Sequence, residues 1–340
     1  MMFSGTHRIC LLMLIAIIAS CGGGGGGGGG IAGVSSPGGG GIGGTGITSS
    51  GTVDGFGSIF VNGVEFETDE AEILVDGEPV TEEALGLGMV VVVSGTVNDD
   101  GTSGVAERVT YDQEVKGPVE SIERDQDGDS MLVVVTGQEV IAERTGTVFE
   151  GVSFDSLAVG DVVEVSGFSN GQGQLRATRI EREGEFVPGV SEVEVEGIVT
   201  QLTATEFILD GLIVDYSNAD LSDLPGGELQ EGMLVEVVGT LEDGRILATR
   251  IELEGGVEDA FDDDEQVNVE GTISNFASRA DFQVNGVPVN ASNATLQPTS
   301  LVLENGVVVE AQGTWNGSVL QAEIVGARRG RIEIEAVVSA

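Results

Sequence analysis

The stretch Leu229-Gln-Glu-Gly232-Met-Leu-Val235-Glu-Val237-Val-Gly239 decides the fold, because the chain contains four versions of it. Each version has a Leu three residues before a Gly, and then a valine-rich segment that ends at a second Gly. The other copies begin at Leu85, Leu157 and Leu303, so successive copies are 72, 72 and 74 residues apart. A period of this length with fixed internal spacing indicates one small domain repeated in tandem.

The third repeat shows its strands most clearly. Residues 193–199 alternate apolar and acidic side chains, which is the period of a strand with one buried face. Residues 207–214 predict two short strands around an Asp-Gly turn, and the polar stretch 217–230 has room for at most one helical turn. Strands over 233–241 and 245–253 complete the repeat.

Five strands in about 70 residues, with the longest connection between the third and the fourth, predict an OB-fold barrel. An immunoglobulin-like sandwich is the alternative, although it usually needs about seven strands and about 100 residues. The predicted fold class is all-β, with four tandem small OB-like five-stranded antiparallel barrels after a signal peptide and a Gly-rich linker. The predicted barrels cover 51–114, 115–187, 191–254 and 267–328, and an extra strand at 331–340 would pair with the fourth.

Two patterns predict how the last two strands of each repeat are arranged. The fourth strand carries Glu164, Glu236 or Glu310 between two small apolar residues in three copies, which predicts an apolar inner face and a Glu-bearing face toward water. In the fifth strand an Ala precedes an Ile or Val by three residues, as at Ala248 and Ile251. Both residues can be buried only if a β-bulge lies between them.

Three arginines, Arg108, Arg179 and Arg250, occupy the same position of the fifth strand in three repeats. Because many carboxylates surround them in the sequence, we interpret them as cross-strand charge partners. The alternative is recognition of an acidic glycan.

The N-terminus predicts export and a lipid anchor. Residues 1–20 have the basic start and the short apolar run of a secretory signal, which is too short to span a bilayer. The tetrad Ile18-Ala-Ser-Cys21 resembles the lipobox of bacterial lipoproteins, which implies cleavage before Cys21 and its lipidation. The following Gly22 resembles the sorting pattern for the outer membrane of Gram-negative bacteria. The anchored protein would face the periplasm or the cell surface. Residues 21–50 are Gly-rich and predict a flexible tether.

Composition excludes several functions. Removal of the signal takes away the single His, His7, and Cys10, so the mature chain has neither a His-based nucleophile system nor a disulfide framework. The formal net charge of −43 argues against binding of nucleic acid, which relies on Lys and Arg. The same charge favours solubility, divalent cations or a basic partner. No enzyme is predicted, although paired carboxylates leave a hydrolase as an alternative.

The order of these motifs resembles one known family. Over roughly residues 51–325, the order of motifs in each repeat resembles that of the domain of unknown function 5666 family. The motifs are Gly-x-Val, then an aliphatic residue before Asn/Asp-Gly, then Leu-x-x-Gly-x-x-Val-x-Val-x-Gly, and last Ala-x-Arg-Ile. The resemblance implies tandem modules in predicted bacterial lipoproteins. It implies no catalytic residues.

Two acidic segments are candidates for cation binding. Asp125, Asp127 and Asp129 stand at alternate positions of a turn in the second repeat, where carboxylates so spaced can wrap Ca²⁺. The alternative is a solvated hairpin turn, since the Gly and Glu positions of an EF-hand loop are not matched. The run 262–265 lies between the third and fourth repeats and is interpreted as a charged linker.

Three aromatic residues are candidates for ligand contact. Phe56 and Phe60 lie where OB-folds commonly bind, near the first two strands of the first repeat. Trp315, the single Trp, lies at a turn of the fourth repeat, where it would stack on a sugar or a partner, or pack against the adjoining domain.

These observations together predict an exported, outer-membrane-anchored lipoprotein that acts as a non-enzymatic binding or scaffold module. Its ligand would be a protein, a glycan or a divalent cation, and Ca²⁺ is the single cofactor considered. The membrane is a further partner, because it holds the lipid at Cys21. The alternative is a structural surface spacer with no ligand of its own.

Overall fold

The computed structural model describes residues 45–328. The signal at 1–20, the lipidation of Cys21, most of the tether and the strand at 331–340 lie outside the described residues. The described chain is all-β apart from 3₁₀ turns at Glu82–Ala84, Pro225–Gly227 and Val257–Ala260. None of the described helices is long and apolar enough to cross a membrane.

Within residues 45–328, twenty-four strands make up the four repeats. Repeat 1 contains β1 (Thr45–Gly55), β2 (Ile59–Val61), β3 (Val64–Glu67), β4 (Glu72–Val75), β5 (Glu78–Val80), β6 (Val90–Val97) and β7 (Ser103–Tyr111). Repeat 2 contains β8 (Val115–Arg124), β9 (Ser130–Val135), β10 (Gln138–Glu143), β11 (Val148–Glu150), β12 (Asp161–Ser169) and β13 (Gln174–Glu185). Repeat 3 contains β14 (Glu192–Thr200), β15 (Glu206–Leu209), β16 (Leu212–Asp215), β17 (Leu234–Glu242) and β18 (Arg245–Leu253). Repeat 4 contains β19 (Gln266–Ser278), β20 (Asp281–Val284), β21 (Val287–Asn290), β22 (Thr295–Gln297), β23 (Val308–Trp315) and β24 (Leu320–Ala327).

Each repeat closes into a barrel of five strands, and β4, β5, β11 and β22 are additional strands that pair outside these rings. In repeat 3, β14 pairs with β15 and β17, β15 pairs with β16, and β17 pairs with β18, all antiparallel. The parallel pair β16–β18 closes the ring. The equivalent parallel pairs that close the other barrels are β3–β7, β10–β13 and β21–β24. The predicted fold of four tandem OB-like barrels is confirmed.

The first barrel begins earlier than predicted. β1 starts at Thr45, inside the stretch 21–50 that we assigned to the tether. Residues 47–50 are strand because they pair with β6 on one side and with β19 on the other, and Ile47 enters the core. The low apolar content of Gly46-Ile-Thr-Ser-Ser50 concealed this pairing from a sequence reading.

The predicted bulge occurs in all four closing strands. In repeat 3 the register shifts between Val238 and Gly239, so that Thr249 is left out between Ala248 and Arg250, and both Ala248 and Ile251 are buried. A Cβ on Gly239 would lie 2.3 Å from the carbonyl oxygen of Leu247. The second Gly of the repeated motif is therefore required by the bulge. The equivalent shifts lie at Gly95, Gly167 and Gly313.

The four barrels are joined by strand pairing as well as by their linkers. β1 pairs in parallel with β19, which joins repeats 1 and 4 into one sheet of 13 strands. β8 pairs with β14, which joins repeats 2 and 3 into a second sheet of 11 strands and one continuous apolar core. Between repeats 1 and 2, the Thr178 hydroxyl donates to the Gly88 carbonyl oxygen at 2.6 Å. The repeats are therefore parts of one packed body.

Candidate functional site

The outer face of the first strand in each barrel points toward another repeat. The residue before the conserved Gly of this strand is Ser50, Lys116, Glu196 or Glu270 in repeats 1 to 4. These positions face out of their own barrels, because they alternate with buried residues such as Val115 and Val195. The four residues differ in charge, so the contacts at these equivalent positions differ.

Repeat 2 carries a neutralised pair at this position. Lys116 stands directly opposite Glu164 in the β8–β12 ladder, and the Lys116 Nζ lies 2.8 Å from the Glu164 Oε1. A second carboxylate, Glu192 of repeat 3, lies 3.5 Å from the same ammonium. Lys116 is the only Lys of the chain. At the junction of repeats 2 and 3, its ammonium lies between carboxylates that would repel one another without it.

Repeat 4 carries a buried carboxylate that has partners. Glu270 is buried and accepts a hydrogen bond of 3.0 Å from the backbone N–H of Thr52 in repeat 1. Its other oxygen forms an ion pair with Arg328. These contacts fasten β19 to β1 across the interface between the two barrels.

Repeat 3 has two carboxylates where repeat 2 has an ion pair. Glu196 stands directly opposite Glu236 in the β14–β17 ladder. Arg250 lies 3.7 Å from Glu236 and 2.9 Å from Glu252, but no basic side chain within residues 45–328 pairs with Glu196. Like charges directly opposite each other destabilise a sheet, so ionisation of both Glu196 and Glu236 destabilises the folded state.

Glu196 and Glu236 line a cavity of about 700 Å³ that is open to solvent and to which residues of all four repeats contribute; we call it the central cavity. Arg250 is its single basic lining residue among those described. Nine acidic residues line it: Asp76, Asp112, Glu114, Glu196, Asp223, Glu236, Glu252, Glu254 and Asp259. Aliphatic side chains lie between them, among which Leu234 and Leu253 keep 41% and 45% of their surface exposed.

Burial and mutual repulsion raise the pKa values of the cavity carboxyls. Burial, and then the charges of Glu254 and Asp112, raise the pKa of Glu114 to about 8. Burial and repulsion by Glu252 raise the pKa of Glu236 to about 7. Burial and repulsion by Glu236 raise the pKa of Glu254 to about 7. Several of these groups therefore exchange protons near neutral pH.

The pKa of Glu196 is raised well above its usual range by burial first and then by Glu114 and other carboxylates. The pKa of Asp76, at the tip of the β4–β5 hairpin, is raised to about 6 by burial and by Asp112. Perturbed carboxyls that share a cavity are a physical criterion for a functional site.

Two oxygen atoms of residues that line the cavity have no hydrogen-bond partner within residues 45–328. One is the Ser50 hydroxyl, whose residue is 0% exposed and lines the cavity. The other is the buried Oδ1 of Asp76. Buried polar atoms are rarely left without partners, so these two mark places where a ligand donor would be stabilised.

A second acidic cluster lies beside Lys116. Glu164, Glu181 and Glu183 have carboxylate oxygens within 4.8 Å of one another, and no other trio of possible metal ligands in residues 45–328 meets this distance. Lys116 already pairs with Glu164 in this cluster. The ammonium supplies the charge that a cation would otherwise bring.

The carboxylates of Asp125, Asp127 and Asp129 are not brought together as a metal site. Asp125 caps its own hairpin turn, accepting hydrogen bonds from the N–H groups of Gly128 at 2.6 Å and Asp129 at 3.0 Å. It also accepts one from the Ser130 hydroxyl at 3.0 Å. This geometry fits the solvated hairpin turn that was the alternative.

The three repeated arginines form cross-strand charge pairs. Arg108 contacts Glu72 at 2.7 Å, and Arg250 contacts Glu236 on the neighbouring strand. Arg179 is buried, contacts Glu150 and Glu181 at 2.6 Å, and donates to the carbonyl oxygen of Leu87 in repeat 1. The charge-partner interpretation is confirmed. Arg179 has the additional role of joining repeats 1 and 2.

The aromatic candidates occupy three different environments. Phe56 is 43% exposed and lines a separate cleft of about 700 Å³ in repeat 1, beside Asp69, Glu82 and Glu83. Phe60 is half-buried and does not line this cleft.

Trp315 is buried, so the expectation that it stacks on a sugar or a partner at the surface is wrong. Its ring packs edge-on against Phe261, with ring centroids 5.4 Å apart. Phe261 belongs to the linker before repeat 4, and both residues enter the core of that repeat. The single Trp therefore closes the fourth barrel.

The central cavity itself is not evident from the sequence. Glu164, Glu236 and Glu310 were expected on a face toward water. That expectation is wrong for Glu236, which lines the cavity. Glu164 is about four-fifths buried and pairs with Lys116 on the neighbouring strand of its own repeat. A usable signal was present only in the alternation Glu194-Val-Glu196, which places two carboxylates on the outer face of the first strand of repeat 3.

Comparison with known families agrees with this repeat structure. The sequence model described as "Domain of unknown function (DUF5666)" matches four segments, residues 46–110, 116–181, 196–252 and 270–325. These segments cover most of the chain and coincide with the four barrels, so the chain belongs to this family. No curated protein matches the chain.

Proposed function

We propose that this member of the DUF5666 family is a non-enzymatic binding module of the bacterial cell envelope, and that its central cavity binds a cationic ligand. The signal and the lipobox-like tetrad support export and anchoring through Cys21 to the outer membrane. The four barrels then act together as one receptor. Residues of all four barrels would form the walls of the ligand site.

The observation that carries the proposal is the imbalance of charge in the cavity. Nine acidic residues and one Arg line it, and Glu196 has no basic partner among the described residues. A concave site lined by charges of one sign concentrates ligands of the opposite sign. The repulsion between Glu196 and Glu236 costs stability in the free protein, and a bound cation would offset that cost.

The experiment is calorimetric unfolding of the chain with Cys21 replaced by Ser, in excess Ca²⁺, in EDTA, and in excess of an organic polyamine. NaCl at matched ionic strength is the control, because it screens the cavity without occupying it. A ligand that binds only the folded state raises the unfolding temperature with its concentration. No rise beyond the NaCl control with any cation would overturn the proposal and leave the structural spacer.

Anchoring is tested separately. Metabolic labelling with a radioactive fatty acid is expected to mark the wild-type chain and not the Cys21→Ser variant, and only the wild type is expected in the outer-membrane fraction. Labelling that persists in the variant would contradict the assignment of Cys21.

A second candidate function rests on the cleft of repeat 1. An exposed aromatic ring, Phe56, lies beside the carboxylates of Asp69 and Glu83, which combines an apolar platform with hydrogen-bond acceptors for the hydroxyls of a neutral sugar. Binding of neutral oligosaccharides is expected to fall at least tenfold in Phe56→Ala. Phe60→Ala, outside the cleft, is the matched control and is expected to leave binding unchanged.

A further inference from the structure

We infer that the ligand of the central cavity is a linear polyamine, an alkyl chain that carries several protonated amines. This inference rests on the proposed cation-binding function and specifies its ligand class. It draws on the spacing of the carboxylates, the aliphatic surface between them and the two polar atoms that lack partners.

The carboxylates of the cavity are too dispersed to chelate one metal ion. Ca²⁺ needs six to eight oxygens at about 2.3–2.6 Å, which requires carboxylates that nearly touch. Within residues 45–328, the trio that meets a 4.8 Å limit is Glu164, Glu181 and Glu183, and none of these lines the cavity. A ligand with several separate positive charges matches this dispersal better than a point charge does.

The carboxylates come from different parts of the fold. Asp76 belongs to the hairpin of repeat 1, Glu196 and Glu236 belong to repeat 3, and Glu254 belongs to the linker that follows it. A chain with amines separated by three or four methylenes can place one ammonium near each group. Each ammonium then replaces repulsion between carboxylates with attraction.

The surface between the carboxylates is aliphatic. Val90 and Val92 line the cavity from repeat 1, and the exposed Leu234 and Leu253 line it from repeat 3. Methylene segments of a polyamine would cover these side chains and remove their apolar surface from water. A hydrated metal ion offers no such complementarity.

The atoms without partners are acceptors for the hydrogens of an amine. The Ser50 hydroxyl and the Asp76 Oδ1 are buried, and both belong to residues of repeat 1 that line the cavity. An ammonium has up to three N–H donors to satisfy such acceptors. The volume of about 700 Å³ lies within the range of small-molecule sites.

The test is titration calorimetry of the full Cys21→Ser chain with spermine at pH 7 and low salt. The double variant Glu196→Gln with Glu236→Gln is expected to weaken spermine binding at least tenfold. Asp125→Asn with Asp127→Asn removes two carboxyl groups from an exposed turn and is the matched control, which is expected to change affinity by less than about twofold. An equal loss in both double variants would overturn the inference, because it would indicate general attraction by net charge.

The structure gives a reason why the Gln variant folds, since it removes a repulsive pair, and circular dichroism checks that it does. Ser50→Val is an independent variant that tests the same wall of the cavity without changing charge. It is expected to weaken spermine binding and to leave the circular dichroism spectrum unchanged.

Three further titrations separate the inference from the proposed function. If Ca²⁺ binds and spermine does not, the polyamine inference is wrong and the cation-binding function stands. If neither binds, both fail. A trilysine peptide that binds more tightly than spermine would also overturn the inference, in favour of a basic protein partner. Putrescine, with two amines, is expected to bind at least tenfold more weakly than spermine, because it reaches fewer carboxylates.

Discussion

Repeats 2 and 3 share one barrel but differ at the position where they face the rest of the molecule. In repeat 2, Lys116 stands opposite Glu164 at 2.8 Å. In repeat 3, Glu196 stands opposite Glu236. The first arrangement is neutralised within repeat 2, and its ammonium also reaches Glu192 of repeat 3 at 3.5 Å. The second arrangement places two carboxyls on the wall of the cavity. The residue at this one outward position therefore changes the electrostatics of the face that the barrel presents to its neighbours.

The largest expected effect is the pH dependence of stability, because several cavity carboxyls contribute to it. Their folded-state pKa values are raised, to about 8 for Glu114 and about 7 for Glu236 and Glu254, so between about pH 4.5 and 8 the folded state binds more protons than the unfolded state. The free energy of unfolding is therefore expected to fall as pH rises through this range.

Urea midpoints measured at pH 5 and pH 8 check this prediction. The variant with Glu196→Gln and Glu236→Gln is the control and is expected to show a smaller difference between the two pH values. A midpoint that is higher at pH 8 than at pH 5 would contradict the assignment of raised pKa values to the cavity.

Removal of the ammonium from repeat 2 is expected to have the next largest effect. Lys116→Met keeps the aliphatic stem and leaves Glu164 and Glu192 unpaired at the junction with repeat 3. Both Lys116 and Glu164 are about four-fifths buried, so we expect a loss of about 2–3 kcal/mol at pH 7. Urea unfolding measures it, and Lys116→Arg is the charge-conserving control. A loss under about 0.5 kcal/mol would show that the pair contributes little.

The reciprocal change converts repeat 3 into the arrangement of repeat 2. Glu196→Lys replaces a like-charged cross-strand pair with an attractive one and is expected to stabilise the chain by about 1 kcal/mol at pH 7. The same substitution is expected to abolish spermine binding, because it places an ammonium in the cavity. Destabilisation with ligand binding retained would contradict the position of Glu196 in the site.

The smallest effect is expected where acidic residues face water. Asp127→Asn, in the exposed turn of repeat 2, is expected to leave the urea midpoint and the ligand affinity unchanged. A Ca²⁺-dependent rise in the unfolding temperature that Asp127→Asn abolishes would restore the calcium site that the sequence suggested at this turn.

Local physical constraints made the barrel predictable from the sequence. The spacing of Ala248 and Ile251 required a bulge, and Gly239 lies where that bulge leaves no room for a Cβ. The Asp-Gly turn at 210–211 needed positive φ at both residues, and both have it. Each of these constraints lies within a few residues of its cause, so a single repeat contains all of the information.

The cavity could not be predicted for the opposite reason. Glu236 alternates with apolar residues as it would on a solvent-facing sheet, and only the packing of other repeats turns that face inward. The parallel pairing of β1 with β19 joins residues about 219 positions apart, such as Ile47 and Gln266, and no local pattern indicates it. Trp315 was misplaced similarly, since its partner Phe261 lies in a linker that the sequence marks only as acidic.

The four barrels surround carboxyls that have too few cationic partners, and a ¹³C NMR titration of the Glu side-chain carboxyls would detect this. We expect a small set of resonances that titrate near pH 7–8, as the pKa values of Glu236, Glu254 and Glu114 require, and whose midpoints fall when spermine is added. The variant with Glu196→Gln and Glu236→Gln should lose part of this set. If every Glu carboxyl titrated near pH 4.5 and spermine changed none of them, the proposed acidic site would be wrong.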